Sequence, residues 1–179
     1  KKNFGRFKNP NIVAAIVAGS VGKGYADDNS DIDTIIFYNK PFTKRQFDKI
    51  IEDAKNSGGE LFHGTPKEGF AVYYYIDGIK CDFGFGNYRE NEKLISDMLK
   101  KPELDQMKHL QISGFMDSYV LYGDKWVNKW KSKAKKISEE LSFIMVRNHI
   151  KFEPEWVTNE MALKRGDILY MYEYFIQAI

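Results

Sequence analysis

Cysteine is almost absent from this sequence: Cys81 is the one instance in 179 residues. No internal disulfide can form, which excludes a disulfide-stapled secreted scaffold and suits a reducing, cytoplasmic setting. Histidine is scarce too, and His63, His109 and His149 share no metal-ligand spacing, so no zinc motif is expected. No apolar run approaches the roughly 18 residues of a membrane span. The basic start, KKNFGRFKNP, is not followed by a signal-type core with a cleavage site, so no membrane partner is expected. Neither charge sign dominates: 27 basic against 25 acidic residues leave +2, too little for a strong global field toward nucleic acid or anionic lipid. Internal repeats and low-complexity tracts are missing as well. What remains is 43% hydrophobic and 29% charged, the composition of one ordered domain, or one domain with a helical extension. The start at Lys1 and the apolar finish, DILYMYEYFIQAI, are read as the trimmed ends of a longer protein.

The β-branched run NIVAAIVA, residues 11 to 18, ends in a glycine cluster and reads as a buried strand. DIDTIIFY, ahead of Pro41, reads as a second strand. Over residues 43 to 57, Phe47, Ile50, Ile51 and Ala54 recur at helical spacing, with Thr43 as N-cap and Gly58 past the end. AVYYYIDGIKCDFGF is two strand-like runs joined by Asp77-Gly78, a type I′ hairpin signal that pairs Ile76 with Ile79, Tyr75 with Lys80, Tyr74 with Cys81 and Tyr73 with Asp82. Helical patterns follow over 89–101, 103–122, 125–152 and 155–179, broken by Pro102, Gly123 and Pro154. The expected architecture is α/β or α+β: a small mixed sheet flanked by helices over residues 1–87, then a helical C-terminal domain over 88–179.

The chemistry concentrates in AGSVGKGYADDNSDIDTIIFY, residues 18 to 38, where four aspartates fall within seven residues. Like charges this close repel one another, the more so as burial removes water, so a cation is required. Asp31 and Asp33 leave the same face of a strand. Asp82 is an aspartate inside a β-rich run, where this residue type is depleted and costly to bury unpaired. If its strand lies beside that of Asp31 and Asp33, three carboxylates converge, an oxygen donor set that suits Mg²⁺ together with substrate phosphates. Upstream, Gly19, Gly22 and Gly24 let the backbone approach an anion, Ser20 adds a hydroxyl, and Lys23 is within reach of a phosphate. The spacing GxxGxG fits neither the Walker pattern nor the dinucleotide-binding one.

Gly19-Ser20, ten intervening residues, Asp31-Ile32-Asp33 and a later strand aspartate, Asp82, resemble the DNA polymerase beta-like nucleotidyltransferase superfamily. The fuller string GSVGKGYADDNSDID is similar to its small-molecule branch, which includes aminoglycoside nucleotidyltransferases. The resemblance spans residues 11 to 87, and Thr34 departs from it where an apolar residue is preferred. It implies that Gly19 and Ser20 hold the triphosphate of ATP or another nucleoside triphosphate. It further implies that Asp31 and Asp33 bind two Mg²⁺ ions, with Asp82 as third carboxylate, ligand and base. The implied reaction transfers a nucleoside monophosphate, AMP for choice, to a hydroxyl of a small molecule such as an aminoglycoside-like antibiotic. Nucleotidyl transfer to a protein or RNA, or a non-catalytic nucleotide-binding module, are the alternatives. A homodimer is compatible with the resemblance.

Other features have plain readings beside functional ones. Asp27 and Asp28 read as turn residues, Lys23 also as an offset to nearby aspartates, and Cys81 as core. Tyr73, Tyr74 and Tyr75 read first as sheet residues, with Tyr73 and Tyr75 on the face of Asp82. The run KWVNKWKSKAKK, residues 125 to 136, has six lysines; it reads as a solvated helix with Trp126 and Trp130 turned inward, against an acidic or nucleic-acid partner. Lys164, Arg165 and Asp167 are candidates to close over a nucleotide, unless Gly166 breaks the helix there. Some family members take a base from the helical part, for which Glu139, Glu140, Glu155 and Glu160 are the candidates.

Overall fold

The computed structural model describes residues 9–136, 139–149 and 155–178. The chain divides into two compact units, one of residues 1–101 with 105–136, the other of 102–104 with 137–179.

The first unit is built on a six-stranded mixed sheet. Its strands are β1 (Ile12–Val17), β2 (Ile32–Tyr38), β3 (Glu60–Thr65), β4 (Gly69–Ile76), β5 (Ile79–Asn87) and β6 (Tyr119–Tyr122), in the order β3-β4-β5-β2-β1-β6. All pairs are antiparallel except β2 with β5. That parallel pair sits at the centre and is made possible by the helix α2 (Lys44–Asn56) in the connection between its strands. α2 starts at the expected Thr43, whose side chain accepts from the Gln46 N–H in a capping box. It lays Ile50 and Ala54 on the sheet with Phe42, Tyr74, Phe83 and Phe85. On the other face, Ala14, Ile16 and Phe37 pack with Ile95 of α3 (Tyr88–Lys100), Phe115 of α4 (Gln106–Met116), and Val127 and Trp130 of α5 (Asp124–Ala134). Trp130 is fully buried and lies 4.9 Å from the Phe37 ring.

The β4–β5 hairpin has the expected register at all four pairs, Ile76↔Ile79 through Tyr73↔Asp82. Asp77 and Gly78 take φ +52° and +80°, the double left-handed geometry of a type I′ turn.

Two strands depart from the sequence reading. β6 occupies the end of the stretch expected to be helical to residue 122, because Tyr119–Tyr122 finds an open edge on β1 and pairs there. β3 had no alternating signal: as an edge strand it is exposed at Glu60 and from Phe62 onward, so its pairing with β4 fixes it rather than its pattern. The helical region also divides more finely. The compact unit carrying the sheet runs past residue 87 to include α3, α4, β6 and α5.

In the second unit, α6 spans Glu139–His149, and the stretch expected as one helix over 155–179 is interrupted. A π-helical turn, Val157–Ala162, runs into a 3₁₀ turn, Leu163–Arg165, then α7, Ile168–Ala178. Gly166, at φ +64°, breaks it as its residue type suggested. Among the described residues, no helix is long and apolar enough to cross a membrane.

Candidate active site

The parallel pairing of β2 with β5 sets Asp33 directly opposite Asp82. Asp31, two residues before Asp33, is on the same side of the chain. Ligand oxygens of Asp31, Asp33 and Asp82 all lie within 4.8 Å of one another, each residue half-buried. In DFGFG, Phe83 and Phe85 alternate into the α2 core while Gly84 and Gly86 fall on the face of Asp82. A side chain at Gly84 would meet nothing within 4 Å, so the sheet surface beside the triad is left open.

That opening is part of a cavity of about 560 Å³. Asp33, Asp82, Gly84, Gly19 and Lys23 line it, and Phe62, Met107 and Leu110 supply apolar surface. The triad is electrostatically unbalanced. Burial, then the Asp31 and Asp82 carboxylates, raise the Asp33 carboxyl above its ordinary range, with Lys80 opposing. Asp82 keeps Oδ1 buried with no hydrogen-bond partner, a cost that a protein avoids unless something else occupies the lone pair. Three converging carboxylates with an orphaned buried oxygen fit a hard divalent cation of the Mg²⁺ type.

The remaining charge comes from a residue the sequence reading passed over. Lys80 Nζ lies 2.7 Å from Asp82 Oδ2 and 3.2 Å from Asp31 Oδ2, and 5.4 Å from the centre of the Tyr73 ring. The signal was available, since Lys80 stands two residues before Asp82 on a strand and so shares its face. The Asp82 hydrogen bond chiefly raises the Lys80 ammonium above its ordinary value; burial opposes it, and the Asp31 hydrogen bond adds to the rise.

The glycine turn has a definite job. α1 (Gly19–Lys23) follows β1 directly, tied to β2 by Ala18 N–H donating to the Asp33 carbonyl at 2.9 Å. Gly19 has φ +62°, and a Cβ there would stand 2.0 Å from Asp33 Oδ2. The residue therefore has to be glycine for Asp33 to sit where it does. Ala18 gives the helix no side-chain cap. Ser20 is half-buried in the first turn, and Lys23 is exposed with its ammonium 5.9 Å from the Tyr25 ring centre.

Other expected residues fall outside this cluster. Asp27 accepts from Asn29 N–H and from the Ser30 hydroxyl in an exposed turn, and the Ser30 bond chiefly holds its carboxyl low. Tyr74 is buried and donates to the Ile50 carbonyl; Tyr73 lines the cavity and donates to Glu60, while Tyr75 is exposed. Cys81 is core, its thiol raised by burial. His63, read as sharing no ligand spacing with the other histidines, lines the cavity next to Phe62. In the basic run, Lys129 pairs with Glu92 at 2.6 Å and Lys131 donates to the Ser118 carbonyl, so part of its charge is neutralised within the unit. In the second unit Lys164 pairs with Glu160, Asp167 caps α7 through Tyr170 N–H, and Glu155 accepts from Asn159. The side chains of Glu139 and Glu140, the His149 side chain and the basic start at 1–8 lie outside the described residues.

A family comparison agrees with this geometry. The profile of the family described as "Nucleotidyltransferase domain" matches residues 2–102. No curated protein matches the sequence. Among solved structures, a nucleotidyltransferase-like protein from Exiguobacterium sibiricum 255-15 is similar at 10% identity and a TM-score of 0.41, covering 97% of this chain and 49% of that one. The Cid1 poly(U) polymerase is similar at 19% identity and a TM-score of 0.31, over 60% of this chain and 32% of its own. The chain thus spans about half the length of the first and about a third of the second. With the profile covering more than half of the residues, and including all three aspartates and the glycine turn that seats one of them, this chain belongs to the nucleotidyltransferase domain family.

Proposed function

We propose that the protein transfers a nucleoside monophosphate, AMP from ATP, to a hydroxyl group of a small molecule and releases pyrophosphate. The observation that carries this reading is the convergence of Asp31, Asp33 and Asp82 within 4.8 Å, with Asp82 Oδ1 buried and unpartnered. In the reaction the acceptor oxygen bonds to the α-phosphorus, the bond from that phosphorus to the bridging oxygen breaks, and its electron pair leaves with pyrophosphate. Asp31, Asp33 and Asp82 would hold two Mg²⁺ ions, which when bound would supply charge neutralisation at the transferring phosphorus and leaving group.

The chain's own groups do the rest. Gly19 and Ser20 seat the triphosphate at the turn into α1, with Lys23 offsetting its charge. Asp82 takes the proton of the acceptor hydroxyl. The cavity over the triad, walled by Phe62, Met107 and Leu110, gives the acceptor or the base a partly apolar surface. An aminoglycoside-like antibiotic is the acceptor class to try first, on the strength of the sequence resemblance, beside uncharged hydroxyl compounds that suit the apolar wall. A reducing cytoplasm is the setting that the lone, buried Cys81 favours.

The test is thermal unfolding with each nucleoside triphosphate, with and without Mg²⁺, followed by pyrophosphate release across an acceptor panel. At a ligand concentration about 100 times Kd, linkage predicts about 2.7 kcal/mol of stabilisation. A Mg²⁺-dependent shift in the parent, lost in Asp31→Asn/Asp33→Asn, is expected. No shift with any triphosphate overturns the reading.

A further inference from the structure

Among the described residues, Lys80 is the one lysine that two of the triad's carboxylates share. Its ammonium uses Oδ2 of Asp82 at 2.7 Å and Oδ2 of Asp31 at 3.2 Å, on two of the three carboxylates of the ligand cluster. The three side chains are each between 37% and 40% exposed, so water reaches the pairs and the lysine can leave without opening the core. Opposite it in register stands Tyr75, and the ammonium lies over the Tyr73 ring, so neither neighbour offers it a further anion. A divalent cation taking ligands from Asp31 and Asp82, at Asp82 through the unpartnered Oδ1, would draw on the same carboxylates and would be repelled by a positive charge a few ångströms away.

Resting on the metal-site reading above, we propose that Lys80 is a competing counter-ion that sets the affinity of the triad for divalent cations. With the metal away, the ammonium holds Asp31 and Asp82 near ligating separation against their mutual repulsion. Metal entry displaces it from both oxygens. Lys80 thus tunes metal affinity and is not itself a ligand. The inference has a signature that a purely structural lysine lacks: removing its charge weakens the metal-free fold yet tightens metal binding.

The experiment titrates Mn²⁺ into the full chain without nucleotide and follows free Mn²⁺ by its paramagnetic resonance signal. The parent, Lys80→Met and Lys80→Arg are compared, and thermal unfolding is recorded in chelator. Lys80→Met is expected to bind Mn²⁺ about tenfold more tightly, a factor in keeping with the loss of two half-exposed ion pairs, and to unfold at lower temperature without metal. Lys80→Arg, which keeps the charge, is expected to stay near the parent. If Lys80→Met does not fold, Lys80→Gln carries the comparison. Mn²⁺ affinity that is equal or weaker in the uncharged variant overturns the role of Lys80 and leaves the metal site standing. Failure of the parent and every variant to bind Mn²⁺ overturns both.

Discussion

Burial and two like-charged neighbours raise the Asp33 carboxyl, so the folded protein holds that proton more tightly than the unfolded chain does. The sign follows: stability falls as pH rises from the ordinary carboxylate range through the raised value, and below that range the residue has no such penalty. Asp33→Asn is therefore expected to unfold at a higher temperature than the parent at neutral pH in chelator, with the advantage fading in acid. The same variant should lose nucleotidyl transfer by about a hundredfold or more, a trade of function against stability read by unfolding and pyrophosphate release together. Gly19→Ala tests the neighbour. A left-handed φ and a Cβ 2.0 Å from Asp33 Oδ2 should destabilise the chain by about 1–2 kcal/mol in urea unfolding, and should weaken Mn²⁺ binding by moving Asp33. Asp31 and Asp33 were legible because crowded like charges call for a cation, and Asp82 because aspartate in a strand violates its own preference. Lys80 was not picked out, since a lysine at a half-exposed strand position violates none.

At the scale of elements, the β4–β5 hairpin decides where Asp82 points. A slip of one residue would turn Asp82 into the α2 core and Cys81 toward the cavity. The Asp77-Gly78 turn is the device that prevents it, and its residue types alone gave the register. Two glycines at this end separate conformational cost from steric cost. A Cβ at Gly78 meets nothing within 4 Å, so Gly78→Ala carries mainly the left-handed penalty, about 1 kcal/mol. At Gly59 a Cβ would stand 1.9 Å from the Tyr73 carbonyl oxygen, a backbone atom that no rotamer change can move. Gly59→Ala is expected to be the more destabilising of the two in urea unfolding, by displacing β3 from β4. The strands that escaped the sequence reading, β3 and β6, are both at sheet edges. An edge strand has one partner and little burial, so its pattern carries little of the information that tertiary pairing supplies.

For the whole molecule, the family profile ends at residue 102 but the compact unit does not. Phe115, Val127 and Trp130 cover Ala14, Ile16 and Phe37 from beyond that point, and β6 pairs the outer edge of β1. A fragment ending at residue 101 should therefore expose an apolar sheet face and an open edge. It is expected to lose the cooperative thermal transition of the full chain; Trp130→Ala, at about 3–5 kcal/mol, should take the full chain part of the way there. The topology also orders events in time. The central parallel pair unites segments whose contacting residues, Asp31 and Lys80, stand 49 positions apart, a distant closure that raises contact order and slows folding. Until that pair forms, the carboxylates are solvated charges on separate pieces of chain. Capacity to take up a divalent ion should thus arrive late in refolding and all at once, with no early species able to capture metal in a half-built centre.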